Sequence, residues 1–176
     1  MNMYLRKAKI NESTEILKFY HRIIESIRDS DFKPKWNNEY PNLEFIEKSI
    51  KKEELYIYTK NNIIISSLIL NDSFDVDYSY VNWSFNAKLD EITVMHAFAI
   101  DSKFRGKGLG RKIFDEIKDI TMANNKKTIR IDVIDGNVGA QKVYEHLGFE
   151  YIGCAETNQY PIGPEKFHLY EYVLKK

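Results

Sequence analysis

The run Phe104-Arg105-Gly106-Lys107-Gly108-Leu109-Gly110-Arg111 stands between an alternating apolar segment, Ile92 to Ile100, and a segment whose apolar residues Leu109, Ile113, Ile117 and Ile120 recur at helical spacing. A strand that passes through glycines into a helix leaves several backbone N–H groups without intrahelical partners, beside the positive end of the helix dipole. Glycines let the loop curl, and their lack of side chains lets a ligand approach the backbone. The arrangement therefore points to an α/β chain with a cradle for an anion, although a glycine-rich turn can also be a plain connection. Spacing narrows the anion. Gly106, Gly108 and Gly110 give G-x-G-x-G, not the G-x-G-x-x-G of dinucleotide folds, and Lys107 is followed by Gly108 rather than by the Ser or Thr of a P-loop.

The rest of the chain supplies a consistent order of elements. Tyr4 to Ile10 alternates as a strand, and Asn11 to about Asp29 carries Ile16, Leu17, Tyr20, Ile23, Ile24 and Ile27 at helical spacing, with Asn11 as the expected cap. A second helix is expected after Pro41-Asn42, with Leu43, Phe45, Ile46 and Ile50 inward. Leu55 to Tyr58 and Ile63 to Leu70 read as a hairpin around Asn61-Asn62. Ile129 to Ile134 is a strand, Asn137 to Gly148 a short helix that ends in glycine, and Phe149 to Cys154 and Phe167 to Leu174 are closing strands. The predicted order is βααβββαβαββ. No repeat, low-complexity block or linker divides it, so 1–176 reads as one domain.

Arg105, Gly108 and Gly110 match the acetyl-coenzyme A loop of the GCN5-related N-acetyltransferases, whose pattern is Gln or Arg, two residues, Gly, one residue, Gly or Ala. Asn137, Ala140, Tyr144, Gly148 and Phe149 match that family's second signature at its spacing and in its order. The chain therefore resembles a GNAT enzyme of a bacterial type acting on a small amine or a protein amine. The resemblance implies an α/β (α+β) fold: a mixed, mostly antiparallel sheet of six or seven strands with splayed central strands, and four helices. It implies an acceptor-side variable half at 1–90, an acetyl-CoA-binding core at 91–149 and closing strands at 150–176. It also implies direct attack of a primary amine on the thioester of acetyl-CoA, with coenzyme A as product. A non-catalytic CoA-binding sensor or interaction module on the same fold is the alternative.

Residue roles follow from the same resemblance. Main-chain groups of Phe98, Ala99 and Ile100 would pair with the amides of the pantetheine arm as an added strand does. The pyrophosphate would rest on N–H groups of Arg105, Gly106, Lys107, Gly108, Leu109 and Gly110, with Lys107, Arg111 or Lys112 adding charge unless these are simply solvated cations. Asn137 and Ala140 belong to the cofactor signature, Asn137 being also a good helix cap. Tyr144 matches the family tyrosine that bonds the sulfur and can protonate the departing thiolate. Its ordinary pKa of about 10 lies above the roughly 8.5 of a thiol, so a pre-placed hydrogen bond is expected to be its main contribution.

An alkylamine with pKa about 10.4 must also lose a proton, at a cost of about 4 to 5 kcal/mol at neutral pH. His96 is the expected base, since strict alternation gives it the side-chain parity of Phe98 and Ile100 and its type titrates near neutrality. A structural histidine is the competing reading, and Glu91 a weaker candidate base. On the acceptor side, Trp36 and Tyr40 lie in a W-x-x-x-Y-P segment that resembles a bacterial subgroup, which also has Asp at the position of Asp132. Trp83 closes an aromatic and acidic stretch, Phe74 to Phe85, suited to a cationic amine, although such alternation also marks an ordinary edge strand. Asp101-Ser102 departs from the proline usual in the family after this strand.

Charge and cysteine count limit the partners. Lys plus Arg equals Asp plus Glu at 26 each, so no global field favours nucleic acid or an anionic membrane. Cys154 is the single cysteine, which excludes an internal disulfide and a thiolate metal cluster and fits a reducing compartment. With no span of transmembrane length and no signal-type apolar region, the expectation is a cytoplasmic protein without a metal, and a homodimer stays open.

Overall fold

Alternation, turn chemistry and helix caps decide where the elements fall in the computed structural model, which describes residues 4–28, 40–74, 81–159 and 163–174. The elements are β1 (Leu5–Lys7), α1 (Ser13–Ser26), α2 (Leu43–Lys51), β2 (Leu55–Lys60), β3 (Ile63–Asn71), β4 (Ile92–Ile100), α3 (Leu109–Ala123), β5 (Thr128–Ile134), α4 (Val138–Leu147), β6 (Glu150–Gln159) and β7 (Gly163–Val173). The sequence order βααβββαβαββ is reproduced. The strands form one seven-stranded sheet in the order β1-β2-β3-β4-β5-β7-β6, in which β4 and β5 are parallel and the pairs β1-β2, β2-β3, β5-β7 and β6-β7 are antiparallel.

The chain packs as two compact units. The first comprises 1–70 and 96–117. Its core joins one face of α1, through Ile16, Phe19, Tyr20 and Ile23, to Ile46 and Ile50 of α2 and to Leu55, Ile57, Ile64 and Ile69 of the hairpin. The hairpin turn is left-handed at both central residues, Asn61 (φ 51) and Asn62 (φ 63), the geometry that matches strand twist and that Asn tolerates. Asn42 caps α2 by accepting from the Phe45 N–H at 2.9 Å.

Three local expectations are corrected. β1 ends at Lys7, because Ile10–Glu12 forms a single 3-10 turn before α1. Asn11 sits inside that turn and is not the cap. The carboxylate of Glu12 organises the junction instead, taking Arg6 in a two-pronged pair at 2.6 and 2.9 Å and the Lys9 N–H at 2.8 Å. Leu43 starts α2 on its outer side and is 38% exposed rather than inward.

The second unit comprises 71–95 and 118–176. β5, β7 and β6 pair along most of their lengths, from Thr128↔Val173 to Ile134↔Phe167 and from Glu150↔Glu171 to Gln159↔Gly163. A buried ion pair holds the segment before β4 onto them. Arg130 Nε donates to Glu171 Oε1 at 2.8 Å, Thr128 Oγ1 donates to the same oxygen, and Ser84 Oγ and the Phe85 N–H donate to Oε2. Arg130 also donates to the Phe85 carbonyl at 3.1 Å and stacks its guanidinium 3.9 Å from the Trp83 ring centroid. Among the described residues no buried side-chain nitrogen or oxygen lacks a partner, the condition under which a buried ion pair offsets its desolvation.

Candidate functional site

β4 is fully buried from Ile92 to Met95 and then changes character. Its pairing with β5 runs from Ile92↔Thr128 to Val94↔Arg130. Ala97 then takes φ 50, a left-handed value that costs an alanine on the order of 1 kcal/mol or more and interrupts the extended backbone of the strand. The interruption corrects the parity argument for His96. Alternation does not run unbroken from His96 to Phe98 and Ile100, so their shared face cannot be counted off in twos. His96 is half-buried, immediately before the distortion.

Beyond β4 the chain makes one turn of 3-10 helix, Ser102–Phe104, in which the Asp101 side chain caps the Lys103 N–H at 3.0 Å. That cap does the work of the absent proline. Arg105 folds back so that its Nε donates to the Ile100 carbonyl at 3.2 Å. Gly106 and Gly108 both take φ 72, and a Cβ built on either would meet nothing within 4 Å. Glycine is needed here for backbone angle, and the space above the loop is open.

The first helical bond of α3 is the Lys112 N–H to the Gly108 carbonyl at 3.1 Å. Among the described residues, the N–H groups of Gly106, Lys107, Gly108, Leu109 and Gly110 have no acceptor. Lys103, Arg105, Lys107, Arg111 and Lys112 surround them, and no carboxylate lies between Ser102 and Lys112. Unpaired N–H groups, a helix start and clustered cations fit the pyrophosphate of a coenzyme A. The cations are not all uncommitted: Lys107 Nζ reaches the Lys103 carbonyl at 3.3 Å, and hydrogen bonding to Tyr58 raises the pKa of Lys112.

In the second unit, Asn137 caps α4 by accepting from the Ala140 N–H at 3.1 Å, so its side-chain carbonyl is engaged while its amide N–H₂ is the part left to offer a ligand. Gly148 (φ 99) closes α4, with the Phe149 N–H returning to the Tyr144 carbonyl at 3.0 Å. Tyr144 is half-buried, edge-on to Phe149 with ring centroids 5.5 Å apart. Burial, and secondarily the nearby Asp132 carboxylate, push its pKa well above the ordinary phenol value. Tyr144 therefore holds its proton firmly and presents a hydrogen-bond donor.

The acceptor-side residues fare differently. Trp36 lies outside the described residues, as do 75–80 of the aromatic stretch. Tyr40 is 37% exposed and tilts against Phe45 with ring centroids 4.9 Å apart. Asp132 is half-buried on β5. Trp83 has one face covered by Arg130 and packs with Phe74, Val81 and Phe167 beside the small core of Ala155 and Leu169, which ties it to the scaffold. Glu91 pairs with Lys127, which holds its carboxyl below the ordinary range. Among the described residues no group of His, Cys, Asp and Glu is arranged to hold a metal, and no helix is long and apolar enough to cross a membrane.

Two adjacent residues escaped the sequence reading. Ser66 and Ser67 sit fully buried in the middle of apolar β3; the hydroxyls of Ser66 and Tyr20 donate to carbonyls of β4 beside Ala97, and that of Ser67 meets the Tyr20 hydroxyl. A polar pair inside a run of isoleucines and leucines was the available signal.

The glycine loop before α3, the element order and the helix that follows Asn137 together point to the GNAT class. The family model described as the Acetyltransferase (GNAT) family matches residues 21–149, and the chain belongs to that family. Among solved structures, a GNAT-family acetyltransferase from Streptococcus agalactiae superposes with a TM-score of 0.74 at 18% identity, covering 99% of this chain and 96% of that one. A Salmonella typhimurium protein described as an acetyltransferase, solved with its cofactor acetyl-CoA, gives 0.65 at 15% identity over 100% and 96% of the two chains. These likenesses concern the fold. Curated relatives match over shorter stretches: the N-acetylaspartate synthetase of Xenopus tropicalis is 28% identical over 41% of this chain, and the spermine/spermidine N(1)-acetyltransferase of Bacillus subtilis 31% identical over 35%. The matches span 27% and 41% of those proteins, respectively.

Proposed function

We propose that this protein is an acetyl-CoA-dependent N-acetyltransferase for a primary amine, with 91–149 serving the donor and 1–90 shaping the acceptor side. The observation that carries the reading is the row of N–H groups from Gly106 to Gly110 without acceptors among the described residues, set at the start of α3 among cations. Acetyl-CoA supplies a thioester carbonyl that an amine attacks directly, so the chain need only bind, orient and manage protons.

Gly106 to Gly110 bind the pyrophosphate through N–H donors, and Arg105 braces the loop through the Ile100 carbonyl. The main chain of Phe98, Ala99 and Ile100 pairs with the amides of the pantetheine arm, and Asn137 keeps its role in the cofactor signature through its free amide N–H₂. Tyr144 donates a hydrogen bond where charge develops on sulfur. Because its pKa is raised, this acts through the bond itself more than through complete proton release. His96 takes the proton of the amine, either directly or through one water. The Asp132 carboxylate and the Tyr40 ring are each of a kind that suits a cationic acceptor.

Thiol release from acetyl-CoA, followed across a panel of polyamines, aspartate and other amino acids, aminoglycosides and N-terminal peptides, tests the proposal. Release that depends on one acceptor class supports it. Coenzyme A binding with no release across the panel would favour a sensor module instead. Aspartate and polyamines belong in the panel because of the relatives named above.

A further inference from the structure

Ser66 and Ser67 interrupt β3 where every neighbour from Ile63 to Leu70 is apolar, and both are 0% exposed. A hydroxyl so placed is costly unless it is bonded. Ser66 Oγ donates to the Ala99 carbonyl at 2.8 Å. The Tyr20 hydroxyl, reaching in from α1, donates to the Ala97 carbonyl at 2.9 Å and lies 3.2 Å from Ser67 Oγ. Tyr20 is itself 1% exposed, and burial raises its pKa, so it stays a donor at any pH near neutrality. Two hydroxyls thus meet two carbonyls of β4, Ala97 and Ala99 on either side of Phe98, and the third, that of Ser67, supports the Tyr20 hydroxyl.

The placement coincides with the distortion. Ala97 at φ 50 survives only where its surroundings over-determine it. The carbonyl bonds of Tyr20 and Ser66 fix the Ala97–Phe98 and Ala99–Ile100 peptide planes, where regular strand pairing would otherwise set them. A core that needed only apolar packing would have no reason to bury two hydroxyls against one short stretch of main chain and a third behind them.

We infer that Tyr20 and Ser66, with Ser67 behind Tyr20, are positioning residues that hold His96 to Ile100 in the distorted shape set by Ala97, on which acetyl transfer depends. The role in transfer rests on the N-acetyltransferase reading above, whereas the pinning of β4 does not. Amide exchange of the ligand-free protein therefore comes first. In Tyr20→Phe the segment 96–101 should exchange about tenfold faster or more, with the rest of the protein unchanged. The same variant should keep its affinity for coenzyme A within about threefold while kcat with acetyl-CoA falls about tenfold or more, because small misplacements of reacting groups are costly. Ser66→Ala frees the Ala99 carbonyl without disturbing α1 and gives an independent reading should Tyr20→Phe fold poorly; Ser66→Thr, which keeps a hydroxyl, should recover kcat.

Unchanged exchange at 96–101 in both Tyr20→Phe and Ser66→Ala overturns the pin. Faster exchange with unchanged kcat and KM overturns its part in transfer. A wild-type protein that releases no thiol overturns the transferase reading while leaving the exchange result to decide the pin alone.

Discussion

Tyr144 shows how the environment alters what a residue type can do. Its phenol is pushed above its ordinary pKa by burial first and by Asp132 second, which widens the gap to a thiol. Tyr144→Phe should therefore fold and bind coenzyme A with little change yet lower kcat by about 10²-fold, the scale of losing one donor aimed at developing charge. Steady-state kinetics with acetyl-CoA checks this, and a kcat within twofold of wild type would remove Tyr144 from the mechanism. Tyr144 and Asn137 were legible because side-chain identity and spacing mark them. His96 was legible as a residue but not as a direction, since the left-handed Ala97 beside it is a backbone fact that no alanine announces. Ser66 and Ser67 left a sequence signal, polar residues in an apolar run, but their partners, the Ala99 carbonyl and the Tyr20 hydroxyl, are brought near only by the fold.

Elements were more legible than single contacts, because each declares its ends locally. Asn42 before α2, Asn61-Asn62 in the hairpin and Gly148 after α4 occupy the positions their chemistry suggests. Asn11 misled because capping residues are interchangeable in sequence, and Glu12 could both pair with Arg6 and receive the Lys9 N–H. That pairing has a pH signature. The Arg6 hydrogen bond, chiefly, holds Glu12 below its ordinary value. A carboxyl lowered in the fold stabilises it above the unfolded value of about 4.3, and the contribution disappears as pH falls through the lower folded value. Glu12→Gln should accordingly flatten the fall of Tm between about pH 5 and pH 3 relative to wild type. Parallel melting curves across that window test it, and identical acid limbs would show the junction to be unimportant. The glycine loop makes a sharper demand. Gly108 has φ 72 with open space around it, so Gly108→Ala meets no clash but carries about 1–2 kcal/mol of left-handed strain. A loop that relaxes to relieve this strain must be restored on binding, which lowers acetyl-CoA affinity about 5- to 30-fold. Calorimetric titration measures it, with Lys103→Ala outside the N–H row as a control expected to lose less.

At the scale of the whole molecule, a mixed, mostly antiparallel sheet of six or seven strands was implied by the sequence resemblance, and a mixed sheet of seven is what the strands form. Composition could not supply it, since a balanced charge and an ordinary apolar share suit many folds. What sequence could not show is how much of the second unit is secured by Arg130 and Glu171, because two charged residues on expected strands look like surface until their burial is known. Their network makes Trp83 a structural residue first. The donor side makes the most general demand on the molecule. A ligand that binds the folded chain and not the unfolded one must stabilise it, by about 2.7 kcal/mol at a hundred times Kd. For a chain of 176 residues this corresponds to a rise in Tm of roughly 5–10 °C. Acetyl-CoA and coenzyme A should both produce it, because the loop from Gly106 to Gly110 reads phosphate and not the acetyl group. Dephospho-coenzyme A should retain most of the shift if the pyrophosphate is the main anchor, and pantetheine, which has no phosphate, should lose nearly all of it. Scanning fluorimetry with the four ligands decides the matter: a shift with pantetheine equal to that with coenzyme A, or no shift with any of them, would refute the role given to the glycine loop.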